Sequence, residues 1–207
     1  MNYSRETEKF TDSRSKRQQI LDAAYEIFSH KGYHQATVDE IITLADTGKG
    51  TVYNYFVNKE QLFYTLVKER TAPFEVELAK IIESPLDPLA KVERIIKSFL
   101  GFYVINADIY RVLMHEIRGL GSDSYSRVPQ EQREKYRQLL DGTIGMIEKV
   151  IIEGVEAGVI RQCNEKKAAH ALFSVIVMMA FKKWVDEDID GTAHVVADHF
   201  LYGIAKR

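Results

Sequence analysis

A single cysteine, Cys163, leaves this 207-residue chain without an intrachain disulfide. That excludes a disulfide-stapled scaffold and fits a reducing compartment. With only four prolines and twelve glycines to interrupt it, the chain is expected to form long helices. Charge of one sign is not in excess, since 28 Lys and Arg face 30 Asp and Glu for a net charge of −2. The protein is therefore no general polycation for nucleic acid, and any DNA contact has to come from a local surface. Candidates for that surface are Lys9, Arg14, Lys16, Arg17, Lys31, Lys49 and Lys59, with Asp39, Glu40 and Asp46 close by. Long apolar runs are missing too. The longest, residues 171–181, is interrupted by Ser174 and closed by Lys182 and Lys183, too short to cross a bilayer. The opening MNYSRETEKF has no apolar core of the kind a secretory leader needs. A cytoplasmic protein without a membrane partner is expected.

Recognisable enzyme chemistry is also lacking. Around Gly48-Lys49-Gly50-Thr51 a phosphate-binding loop would need glycine at 43 and Ser or Thr at 50, where Thr43 and Gly50 stand. His115-Glu116 begins like a zinc-protease helix, but the second histidine would fall on Gly119. His194 and His199 are five apart, off the spacing that aligns ligands on one helical face. Cys163 reads as an inert thiol on a loop. No catalytic residue, metal site or cofactor is expected.

What is present is helix punctuation. Helix 1 is expected to start after Asp12 or Ser13 and to be closed by Gly32, with Ile20, Leu21, Ala24, Ile27 and Phe28 on its buried stripe. Asn58 can cap a helix whose apolar face is Leu62, Phe63, Leu66 and Val67; Pro73 predicts a kink or break between 70 and 73. Asp87-Pro88 reads as a cap followed by a proline in the first helical position, opening a helix to about 105. Further helices are expected over about 107–120, from Pro129 to about 157 with Gly158 ending it, from an Asn164 cap to about 185, and over roughly 192–205. Residues 119–124 make the clearest loop. The expected fold class is all-α with about nine helices.

Residues 37–62, TVDEIITLADTGKGTVYNYFVNKEQL, carry the strongest functional signal. Thr37 and Glu40 have capping-box spacing, and Val38, Ile41, Ile42 and Ala45 recur at helical spacing until Asp46-Thr47-Gly48 forces a turn. The following Lys49-Gly50-Thr51-Val52-Tyr53-Asn54-Tyr55-Phe56 sets a cation, a hydroxyl, an amide and two phenols beside only two purely apolar side chains, a composition suited to a groove. Lys49 can reach a guanine edge or a phosphate, Thr51 a thymine methyl and Asn54 an adenine. The Gly50 backbone can approach the sugar-phosphate closely, and Thr37, Tyr53, Tyr55 and Lys59 suit phosphate contacts that position without specifying.

The stretch Tyr53-Asn54-Tyr55-Phe56-Val57-Asn58-Lys59-Glu60-Gln61-Leu62 resembles the signature Tyr-x-Tyr-Phe-x-x-Lys-Glu-x-Leu of the TetR family of transcriptional regulators. Upstream, residues 19–24, Ile27-Phe28, Gly32-Tyr33 and Thr37-Val38 resemble that family's first helix and its exit. The chain departs where the family's turn usually reads Ala-Gly-Val-Ser and here reads Ala45-Asp46-Thr47-Gly48, and where Ile42 replaces a usual alanine. The resemblance covers the first third of the chain. It implies a helix-turn-helix DNA-binding domain over 1–57 and a helical ligand-binding and dimerisation domain over 58–207. It also implies that Thr37, Lys49, Gly50, Thr51, Tyr53, Asn54, Tyr55 and Lys59 occupy DNA-contacting positions on double-stranded operator DNA.

Phe99, Phe102, Tyr103, Tyr110, Met114, Met146 and Phe173 are large side chains at helical spacing, read mostly as core and, with the family's architecture in view, as lining for a small hydrophobic effector. Ala168, Ala171, Leu172, Val175, Met178 and Met179 on one helix, and Val195, Val196, Phe200, Leu201 and Ile204 on the next, give the last two helices apolar surfaces broad enough to pair with a second copy as a homodimer. The expected function is a ligand-responsive, sequence-specific DNA-binding regulator of the repressor kind, not an enzyme. The alternative is a helical hydrophobic-ligand-binding protein without a DNA role.

Overall fold

The computed structural model describes residues 15–117, 130–185 and 188–202. Nine helices run through them: α1 (Lys16–Gln35), α2 (Val38–Leu44), α3 (Lys49–Tyr55), α4 (Lys59–Glu83), α5 (Pro88–Ile105), α6 (Ala107–Ile117), α7 (Gln130–Glu156), α8 (Glu165–Phe181) and α9 (Ile189–Tyr202). The loop expected at 119–124, the Pro129 start and the position of Ile204 lie outside the described residues.

Local chemistry accounts for most boundaries. The Ser15 hydroxyl accepts the Gln18 amide at 3.2 Å, and α1 winds regularly until Gly32, whose φ of 74° is open to a residue without a Cβ. Thr37 and Glu40 form the capping box: the Glu40 amide donates to the Thr37 hydroxyl oxygen at 3.3 Å, while the Glu40 carboxylate accepts the Thr37 amide at 3.0 Å and its hydroxyl at 2.9 Å. Asn58 accepts the Gln61 amide at 2.8 Å, Asp87 the amides of Leu89 and Ala90, and Asn164 the Lys167 amide at 2.8 Å. Gly158, at φ 72°, ends α7 as its composition predicted.

Three expectations are corrected. The helix does not break at Pro73; α4 is continuous from Lys59 to Glu83. Pro73 and Glu69, whose carbonyl loses its intrahelical donor, are both exposed, while Thr71, Phe74 and Leu78 stay on the buried face, so core packing outweighs the local penalty. Helix α8 stops at Phe181, short of the expected 185, because Lys183 adopts φ 55° and the Trp184 amide folds back onto the Met179 carbonyl at 3.0 Å. Helix α9 begins at Ile189, before Thr192, because the Asp188 carboxylate caps it through the Gly191 amide at 2.9 Å.

Helices α1 to α3 form a small head on the first turns of α4. Ile20, Leu21, Ala24 and Phe28 of α1 meet Ile41, Val52, Phe56, Leu62 and Phe63 in one buried cluster. Phe28 packs edge-on against Phe63 (4.9 Å between centroids), which packs against Tyr136 of α7 (5.8 Å), so head and body share one aromatic run. In the body, α5 packs against α4, α7, α8 and α9. A buried ammonium braces it, with Lys91 donating to both carboxylate oxygens of Glu153 on α7 at 2.8 and 3.0 Å. Among the described residues no helix is long and apolar enough to cross a membrane.

A continuous α4 carries the cost of an internal proline, so Pro73→Ala is expected to raise stability by about 1–3 kcal/mol in urea denaturation. A destabilised variant would mean that the helix relies on the ring. Lys31 and Thr37 donate hydrogen bonds to the Glu40 carboxylate and hold it below its ordinary value of 4.5. The stability this contributes is present above the unfolded-state value and lost as pH falls through the lower folded one. Glu40→Gln should therefore be less stable than wild type at pH 7, the gap closing in acid; urea midpoints at stepped pH measure it.

Candidate DNA-reading unit and effector site

The turn between α2 and α3 is closed by backbone hydrogen bonds: the Ala45 amide donates to the Ile41 carbonyl at 2.9 Å, Asp46 to Thr43 at 3.2 Å and Thr47 to Ile42 at 3.2 Å. Asp46 sits at φ 45°, the left-handed conformation more often given to glycine, which an aspartate tolerates at some cost. The Lys16 ammonium donates to the Asp46 carbonyl at 3.3 Å and ties the turn to the start of α1.

Helix α3 is held by Val52, with Phe56 buried just beyond its end, and little else. Lys49, Gly50, Tyr53, Asn54 and Tyr55 are exposed and Thr51 is half-buried. A Cβ added at Gly50 would meet nothing within 4 Å, so the fold itself does not require glycine there. The seven-residue helix thus presents a polar, phenol-bearing face with Leu44 and Val57 exposed beside it.

The remaining predicted contacts are placed unequally. Lys49 is exposed but engaged, its ammonium 3.2 Å from an Asp39 carboxylate oxygen. Thr37 spends its hydroxyl on the capping box. Lys59 points inward: its ammonium donates to the carbonyls of Tyr33 at 2.9 Å and Ala36 at 3.1 Å and lies 4.7 Å from the Tyr33 ring centroid. It satisfies two carbonyls at the exit of α1, which uses two of the three donors of the ammonium.

The wider basic surface is also largely spoken for. Lys31 pairs with Glu40, and the Arg17 guanidinium grips both Glu69 oxygens, one at 3.0 Å, while lying 5.6 Å over the Phe56 ring. The hydrogen bonds to Glu69 raise the Arg17 pKa. Lys9 and Arg14 lie outside the described residues. The Arg17–Glu69 clamp was not read from the sequence, and a 52-residue separation offers no local signal for it.

In the body, Phe102, Tyr103 and Tyr110 meet as expected, around an interior void of about 10 Å³ also bordered by Val67, Thr71, Phe74, Leu113 and Leu139. That is hardly room for one water. Phe99 and Phe173 stand behind it in the same aromatic cluster, with ring centroids 6.1 Å apart; Met114 is buried and Met146 half-buried, and none of these four lines the void. The Tyr110 hydroxyl bonds the Thr71 hydroxyl, which in turn donates to the Val67 carbonyl at 2.8 Å. Burial pushes both phenols, Tyr103 and Tyr110, well above the ordinary tyrosine value, so they are neutral polar groups in an apolar wall. Outside this wall lies an open groove of about 1120 Å³ between α4, α5 and the start of α9.

On the outer faces of α8 and α9, Val175, Met178, Val195 and Tyr202 are exposed, with Ala171 beside them. Leu172 and Val196, read from sequence as part of the same surfaces, turn into the core, and Ala168, Met179, Phe200 and Leu201 are half-buried.

Residues 20–65 match the family model described as bacterial regulatory proteins, tetR family, and residues 85–202 match the model described as tetracyclin repressor-like, C-terminal domain. The fatty acid metabolism regulator protein of Bacillus subtilis is 26% identical over 175 residues, covering 84% of this chain and 86% of the relative. The solved structure of the transcriptional regulator FadR from Bacillus subtilis, in complex with stearoyl-CoA, superposes with a TM-score of 0.77 at 24% identity, covering 91% of this chain and 99% of the other. The fatty acid degradation regulator FadR from Bacillus halodurans gives a TM-score of 0.77 at 23% identity over 95% of this chain and all of its own. At these identities the two structures establish a shared fold. With an exposed polar α3 behind a closed turn and both halves matched, the chain belongs to the TetR family and is a ligand-responsive, DNA-binding transcriptional regulator.

Proposed function

We propose that this regulator binds operator DNA as a homodimer through α3 of each protomer and is released by a long-chain acyl-CoA. The observation that carries the first half is the outward face of α3, where Lys49, Gly50, Thr51, Tyr53, Asn54 and Tyr55 stand on a helix fixed from beneath by Val52. A short helix of this kind reads base edges with its exposed side chains while flanking groups hold phosphates. Residues 1–57 act as the DNA-binding domain and 58–207 as the effector and dimerisation domain.

The apolar stripe of Ala171, Val175 and Met178 on α8, with Val195 and Tyr202 on α9, pairs with its counterpart in a second copy, since two such helices from each protomer complete a four-helix bundle. Dimerisation brings two α3 helices to half-sites about 34 Å or a multiple apart. The effector class is supported by the B. subtilis relative named as a fatty acid metabolism regulator and by the FadR complex with stearoyl-CoA. The void beside Phe102, Tyr103 and Tyr110 would open to take the acyl chain, with Phe99, Met114, Met146 and Phe173 as the surrounding shell. Separating α4 from its neighbours moves the head on its first turn, a coupling typically worth about 1–3 kcal/mol.

Within the head the lysines divide. Lys49 exchanges Asp39 for a phosphate or guanine, whereas Lys59 holds the exit of α1. Lys49→Ala should lower the magnitude of the log-log salt slope of operator binding by about one. Lys59→Met should leave that slope unchanged and lower the thermal midpoint of the protein. Equal slopes for Lys49→Ala and wild type would remove Lys49 from the DNA contacts. Stearoyl-CoA added to the protein on its own upstream DNA should dissolve the complex; a complex unchanged at saturating ligand would refute the acyl-CoA reading.

A further inference from the structure

The groove outside the aromatic wall has a build of its own. Helices α4 and α5 run antiparallel through the short 84–87 link, as shown by Glu77 bonding Ser98 and by Phe74 stacking on Phe102. One end of the groove therefore sets Lys80 and Ser84 beside Arg94, and the other sets Glu69 and Arg70 beside Ile105 and Asn106. At about 1120 Å³ it is slightly larger than pockets that hold drug-sized molecules.

Its charges balance by count, four of each sign, but not once partners are assigned. Glu69 is gripped by Arg17, Glu77 accepts the Ser98 hydroxyl, Asp190 pairs with Lys97 and Asp188 caps α9. Arg70 lies 4.3 Å from the Tyr25 ring centroid. Lys80 and Arg94, both exposed, pair with no carboxylate among the described residues. A hydroxyl or amide donor does not cancel a carboxylate, so Glu77 and Asp188 still stand against Arg70, Lys80 and Arg94; the excess is one positive charge, and two of the three unpaired cations, Lys80 and Arg94, lie at the end away from the head.

The apolar floor leads inward. Phe74 and Phe102 border both the groove and the interior void, and their rings stack with centroids 4.3 Å apart and planes 7° from parallel. Phe74 is buried and held edge-on by Phe99 at 4.8 Å, whereas Phe102 is only half-buried. Phe102 is also met edge-on by Tyr103 at 5.4 Å and Tyr110 at 5.1 Å, but of the two stacked rings it is the one with a solvent-facing side.

We propose that the groove is the outer half of a two-part site for an anionic amphiphile. A phosphate-bearing head group sits on Lys80 and Arg94, and the apolar chain enters the core where Phe102 swings away from Phe74. Arg94 offers a planar fork suited to phosphate, and Lys80 a mobile point charge. The chain then lies against Thr71, Tyr110 and Leu113, wedging the middle of α4 from α5. This rests on the acyl-CoA reading above and adds to it where the charged and apolar parts go and which ring admits them.

Isothermal titration of the full-length dimer with stearoyl-CoA, stearate and coenzyme A, below micellar concentrations, tests it. The Lys80→Ala/Arg94→Ala double variant should bind stearoyl-CoA about tenfold or more weakly, in line with the loss of charge-assisted contacts, and stearate within about twofold of wild type. Both side chains are exposed and far from α3, so its ligand-free DNA affinity should match wild type. Phe102→Ala should speed stearoyl-CoA association in stopped-flow mixing. A double variant that binds stearoyl-CoA like wild type, or a wild type that binds stearate as tightly as stearoyl-CoA, overturns the head-group assignment alone. A Phe102→Ala variant with unchanged association overturns the gate. Wild type binding none of the three ligands overturns the acyl-CoA reading together with the groove.

Discussion

Everything in this molecule hangs on α4 remaining one helix. At 25 residues it is about 37 Å long. Its first turns, with Leu62, Phe63 and Leu66, belong to the core of the head, and its later turns, with Phe74, Leu78 and Ile81, to the core of the body. A rod buried at both ends cannot tilt in one without displacing the other. The Arg17–Glu69 clamp strengthens that union, because it joins the start of α1 to the middle of α4 by a two-pronged contact. A proline inside the rod would ordinarily weaken it; here Pro73 and Glu69 both lie on the exposed side, so the helix keeps its buried face intact.

The two functional surfaces differ in how they are built. The DNA-reading unit is preformed: a backbone-closed turn, a capping box and two buried anchors, Val52 and Phe56, hold α3, with the exposed Lys49–Asp39 pair as an addition from its outward face. The proposed effector site is the reverse, filled by its own aromatic rings and sealed almost to the volume of one water. Filling an empty pocket would cost little and move little. Opening a packed one displaces rings from a dense interior, and dense interiors pass such displacements on to the helices that carry them.

What could be read from the sequence follows the range of the interactions. The caps at Thr37, Asn58, Asp87 and Asn164 are legible because donor and acceptor lie within three residues. The all-helical class, the turn at 45–48, the kink at Gly32 and the Gly158 termination come from equally local chemistry. The inward turn of Lys59 was not legible, since its acceptors lie 23 and 26 residues back in the chain. Pro73 follows the same rule: its local penalty predicts a break, and only the packing of Thr71, Phe74 and Leu78 against distant residues overrides it. The groove between α4 and α5 has no motif at all; it exists only once the antiparallel pair sets Lys80 opposite Arg94.

The Asp39–Lys49 pair bears on how such a protein searches a chromosome. Each protomer carries a counterion for its own reading helix, and an exposed pair of this kind is worth less than about 1 kcal/mol, weak enough to be exchanged. Random duplex offers phosphates but little beyond them, so trading a carboxylate for a phosphate there gains almost nothing. Only a site that adds base-edge contacts repays the exchange. With Lys49 on the proposed DNA face, the acidic neighbour thus lowers affinity for the vast excess of wrong sequence more than for the right one, and a regulator with near-zero net charge spends less of its time stranded on the genomic background.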